Sequence, residues 1–134
     1  MNRDKALFYL RASGLVPDGT NIMYSLNRVK FSSRISEGLK HAVVKTILAR
    51  LIIKQGDGVL TEFTTRACRR FDVLQIKEVK GKGKTKYNLI AYEIETTSEV
   101  KDDTKGIDTI TIRLNAIPDD IYGIEKYLKE KVLI

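Results

Sequence analysis

Apolar residues recur at helical spacing through the stretch from Ser32 to Gly58, where Leu39, Val43, Val44, Ile47, Leu48 and Leu51 make one stripe. The spacing predicts an amphipathic helix. Ser36 and Glu37 fit its first turn as cap and dipole-matched acid, and Gly56, Asp57 and Gly58 supply the stop. The pattern then changes to β-formers. From Gly58 to Glu78 the chain is rich in Val, Leu, Thr and Phe with partial alternation, which predicts one or two strands. Gly81 and Gly83 punctuate a lysine-rich turn between the apolar runs Phe71–Ile76 and Tyr87–Thr97, so these two runs pair as an antiparallel hairpin. A polar link from Ser98 to Asp108 follows. Ile110, Ile112 and Leu114 then alternate with Thr111, Arg113 and Asn115, predicting a further strand that Pro118 ends. Asp119 and Asp120 open a terminal helix with Ile121, Ile124, Tyr127 and Leu128 on one side.

This order of elements predicts a mixed α+β domain, a central mixed sheet of about four to five strands flanked by helices. Residues 1–33 form an N-terminal extension, with a helix around Lys5–Leu10, a turn at Pro17, Asp18 and Gly19, and a strand around Asn21–Leu26. Residues 34–134 form the core of one domain, because 134 residues at 43% apolar content sustain one ordinary hydrophobic core and not two.

Charge narrows the choice of partner. With 24 basic and 17 acidic residues the net charge is +7, which favours a polyanion through counterion release from neutralised phosphates. Cys68 is the only cysteine, so no intrachain disulfide and no multi-cysteine zinc site forms, and an intracellular, cytoplasmic setting fits. The first residues lack a secretory pattern, and no apolar run approaches the ~20 residues of a membrane span. The chain has neither a P-loop nor a Gly-x-Ser-x-Gly elbow, which disfavours nucleotide hydrolysis and esterase chemistry.

Three acids stand where acids are costly. Asp72 sits among apolar neighbours in a strand expected to be central, where a carboxylate needs a cation or hydrogen-bond donors. Glu93 and Glu95, two apart on a strand, project to the face that carries Leu89 and Ala91. A divalent cation relieves their repulsion, and Mg²⁺ takes one or two carboxylates together with water and phosphate oxygens. The competing reading places both glutamates on a solvated face, paired with Lys or Arg across the hairpin.

The order from Arg69 and Arg70 through Asp72, a hairpin, Glu93 and Glu95, and a strand ending at Pro118 and Asp119 resembles the PD-(D/E)XK nuclease superfamily over about residues 34–130. The resemblance implies a restriction-endonuclease-like fold. It also implies a Mg²⁺ (or Mn²⁺) site in which Asp72 and Glu93 are ligands and Glu95 stands where the family carries a lysine. Glu37 on the first helix is implied as a further ligand, with His41 a weaker candidate one turn later. For Glu37 the first-turn dipole role competes, and for His41 a local hydrogen bond competes. Glu62 is an alternative acid, or a partner of Arg66 or Arg70.

Basic residues fall in two groups, Arg66, Arg69 and Arg70 before Asp72, and Lys77, Lys80, Lys82, Lys84 and Lys86 on the hairpin. They suit a phosphate backbone, or a turn whose lysines guard a sheet edge. The expected function is a metal-dependent endonuclease acting on DNA rather than RNA, with a homodimer implied by the resemblance. Two alternatives are a non-catalytic nucleic-acid-binding module on the same scaffold, and an interaction subunit that uses Tyr and Ile residues of the terminal helix.

Overall fold

The structure, a computed structural model, describes residues 2–13, 26–31, 38–64, 70–81, 83, 86–95 and 107–133. The long periodic segment forms helix α2, Leu39–Lys54, and Gly56 just past its end takes the left-handed φ of +92° that glycine allows. Val44, Leu48, Leu51 and Ile52 bury its apolar face, whereas Leu39, read as part of that stripe, is 83% exposed. The N-cap of α2 is Gly38, without a side-chain hydrogen bond, so the predicted cap at Ser36 lies ahead of the helix and outside the described residues.

Four strands follow: β1 Gly58–Thr64, β2 Arg70–Val79, β3 Lys86–Glu95 and β4 Ile107–Arg113. They lie in the order β1-β2-β3-β4, antiparallel from β1 to β3, with β4 parallel to β3. The last strand is shorter than its alternation predicted. It ends at Arg113, and a 3-10 turn over Leu114–Ala116 swings Leu114 and Ile117 onto the helices. Helix α3, Ile121–Tyr127, is capped by Asp120, whose carboxylate accepts from Gly123 N at 2.8 Å. A wide helical turn over Leu128–Val132 closes the chain.

The protein is therefore a mixed α+β fold with a four-stranded mixed sheet between helical layers. Helix α1, Arg3–Ala12, lays Ala6, Leu7 and Leu10 on one face of the sheet against Leu60, Leu74, Ile76, Leu89 and Ala91. Helices α2 and α3 cover the other face, where Val59, Val73, Tyr92, Ile94 and Ile112 meet Val44, Leu48, Ile124 and Leu128. The N-terminal helix thus covers one face of the sheet rather than extending from the core. No described helix is long and apolar enough to cross a membrane.

One polar chain crosses the α2 layer. Tyr92 Oη donates to Gln75 Oε1 at 2.6 Å, and Gln75 Nε2 donates to Asp57 Oδ2 at 2.7 Å. Burial, with Asp57 close by, pushes the Tyr92 phenol up to about 12.

Candidate functional site

Side chains alternate along β1 and β2 until the pattern breaks at one level. Phe63 pairs with Phe71 and Thr61 with Val73, but Glu62 and Asp72, opposite each other between them, form no bridge. Glu62 has a left-handed φ of 52°, unusual for a residue with a side chain. On β2 Phe71 shares the α1-side core with Leu74 and Ile76, three and five positions on, which strict alternation does not permit. The break turns both acids toward α2. There His41 and Lys45, four apart and so on one helix face, receive them.

Asp72 ends the β2–β3 ladder. The last pair is Val73 with Tyr92, and the next main-chain donor on β3, Ile94 N, gives its hydrogen bond to Asp72 Oδ2 at 2.7 Å. A carboxylate thus takes the place of a strand carbonyl at this end of the pair. The other oxygen, Oδ1, lies 3.3 Å from His41 Nε2. His41 thus faces a strand carboxylate.

Glu62 is held more tightly. Its Oε1 lies 2.8 Å from Lys45 Nζ, a lysine with no exposed surface, and its Oε2 accepts from Arg70 Nη2. Of the two partners expected for Glu62, Arg70 is one; Arg66 lies outside the described residues. Lys45 escaped the sequence reading, although a lysine between Val44 and Leu48 in an apolar stripe is a signal, because such a position needs an anion nearby. Phe31 covers Lys45, with Nζ 5.1 Å from its ring centroid.

By the register, Glu93 stands opposite Asp72, one position past the last pair, and it is 2% exposed. Alternation places Glu93 with Leu89 and Ala91 on the α1 side of β3, while Asp72 turns to α2. Glu95 lines a depression of about 540 Å³ together with Lys40, His41, Ile94, Leu114 and Asn115. Lys40 Nζ closes one side, donating to Ile117 O at 2.6 Å and Asp119 Oδ1 at 2.9 Å, and this lysine holds the Asp119 carboxyl below its ordinary range. The structure therefore gathers Asp72, Glu93 and Glu95 at one end of the β2–β3 pair without fusing them. Among the described residues no three His, Cys, Asp or Glu side chains group closely enough to hold a metal ion, and Glu37 lies outside those residues. Mg²⁺ takes one or two carboxylates completed by water and phosphate, and Asp72 and Glu93, turned to opposite sides of the sheet, would not share one such ion.

The hairpin lysines are remote from the acids. Lys80 and Lys86 are exposed at the turn, eight positions from Asp72 and seven from Glu93 respectively, or roughly 26 and 23 Å at 3.3 Å per residue. Arg69, Lys82 and Lys84 lie outside the described residues. On α3, Ile121 and Tyr122 are exposed, the latter by 80%. Compared with protein-family models, curated proteins and solved structures, the chain matches none.

Proposed function

We propose that this chain is a metal-dependent nuclease that hydrolyses phosphodiester bonds in DNA. One observation carries the reading: where the β2–β3 ladder ends, the Asp72 carboxylate is held by Ile94 N and faces His41, beside the depression that Glu95 and His41 line. A carboxylate set in place of a strand carbonyl costs solvation and local regularity, and such costs concentrate at functional sites. Asp72 and Glu95, which flank His41, would hold a Mg²⁺ whose chemistry would be water activation and neutralisation of charge developing on the phosphate. The chain's own groups do the rest. Ile94 N fixes the Asp72 carboxylate, and His41 Nε2 faces its second oxygen. The net charge of +7 supports a polyanionic substrate.

The test is Asp72→Asn. Asparagine keeps an oxygen for Ile94 N and removes the charge. The expected outcome is loss of Mg²⁺-dependent cleavage of plasmid DNA with the melting temperature and DNA affinity retained; cleavage at the wild-type rate refutes the role. A second reading rests on Asp72 being engaged on both oxygens and on Glu95 standing where the resembling family carries lysine. It is a binding module without catalysis. Wild-type protein that binds DNA with steep salt dependence yet never nicks it in Mg²⁺ or Mn²⁺ selects that reading.

A further inference from the structure

Residues 27–31 run along the free edge of β1 and are fastened to it at two levels. Asn27 N donates to Val59 O at 2.8 Å while Val59 N donates to Asn27 Oδ1 at 3.0 Å. Two positions further along β1, Lys30 N donates to Thr61 Oγ1 at 2.6 Å, and that hydroxyl donates to Arg28 O at 3.1 Å. Val29 packs against the α2-side core, and Arg28, Lys30 and Phe31 point outward. Phe31 is 59% exposed. Lys45 Nζ sits behind the ring, and Glu62 holds Lys45 in turn. An aromatic ring backed by a buried cation, open in front and flanked by Lys30 and Arg28, is what a nucleobase on a phosphate backbone needs. The place suits it too: Lys45 is one helical turn from His41, whose ring meets Asp72.

We infer that Phe31 is a stacking platform for an unpaired base, with Arg28 and Lys30 on the adjoining phosphates, so that the strand handled by this protein is single or locally opened. This rests on the nucleic-acid reading above and specifies its substrate. A duplex keeps its bases stacked inside and offers the ring nothing beyond its phosphates.

The experiment compares labelled single-stranded DNA with the blunt duplex of the same sequence at fixed low salt, by fluorescence anisotropy. Phe31→Leu is expected to lose roughly tenfold or more in single-strand affinity, the size of one base–aromatic stack, with duplex affinity unchanged. Phe31→Tyr is expected to bind as wild type. The sequence holds no tryptophan, so Phe31→Trp provides a single reporter whose emission is quenched by the single strand and not by the duplex. Lys30→Gln is expected to weaken both probes alike and lower the salt slope by about one. Unchanged single-strand binding by Phe31→Leu, or an equal loss on both probes, overturns the stacking role while leaving the nucleic-acid reading intact. Wild-type protein that binds neither probe overturns both.

Discussion

Replacing Lys45 with methionine tests the polar centre of the α2 layer, because methionine keeps the length and apolar stem of the lysine and removes only its charge. Lys45 has no exposed surface and its Nζ lies 2.8 Å from Glu62 Oε1. At an effective dielectric near 20, two charges this far apart attract by about 6 kcal/mol, most of which offsets the cost of taking them out of water. Removing one partner of a buried pair leaves the other's desolvation uncompensated and typically costs ~3–5 kcal/mol. Arg70 remains on Glu62, so the lower end applies, about 3 kcal/mol. With a urea m-value near 2 kcal/mol/M, the midpoint of unfolding is expected to fall by about 1.5 M. The double variant Lys45→Met with Glu62→Gln removes both charges of the pair and is expected to recover at least ~1 kcal/mol relative to additivity. A midpoint for Lys45→Met within ~0.2 M of wild type, or strictly additive single and double variants, refutes the view that this pair is a desolvated unit.

Tyr92→Phe leaves Gln75 Oε1 buried without its donor and is expected to cost ~1–3 kcal/mol in a denaturant melt. The same variant changes the alkaline limb. Because the Tyr92 phenol is raised to about 12 from an ordinary 10.0, its contribution is complete below pH 10 and is lost between 10 and 12, where only the unfolded chain ionises. Stability measured across that window is expected to fall less steeply in Tyr92→Phe. Gly123→Ala is expected to lower the melting temperature although alanine favours helix, because the added methyl would meet Asp120 Oδ1 at 2.6 Å and Pro118 Cβ at 2.7 Å and so push the capping carboxylate off Gly123 N.

The local elements were readable because each has a local cause. The apolar repeat of α2, the glycines of the β2–β3 turn and the Asp120 cap all act within a few residues, and the structure places helix, hairpin and terminal helix accordingly. What escaped depends on partners distant in sequence. Leu39 has the right period for the buried stripe but meets solvent, since the packing surface begins a turn later. The alternation slip at Glu62 and Asp72 is visible only once β1 and β2 are paired, and it decides that Asp72 meets His41 while Glu93 stays on the α1 side. The three acids were legible as residues that need an explanation. Their mutual placement was not, because a period of two fixes the face of a residue only while the strand stays regular.

The chain of hydrogen bonds from Asp57 through Gln75 to Tyr92 has a consequence for how β2 and β3 align. Phe71, Val73, Leu74 and Ile76 are all fully buried, so both faces of β2 are apolar and sliding it by one residue would forfeit little hydrophobic burial. Sliding would, however, carry the Gln75 amide under α1, among Leu7, Leu10 and Leu89, with neither the phenol nor the Asp57 carboxylate in reach. A single glutamine thereby selects one alignment among several that hydrophobicity leaves nearly equal in energy. The level at which Asp72 meets Ile94, and with it the end of the ladder between the two strands, is inherited from that selection.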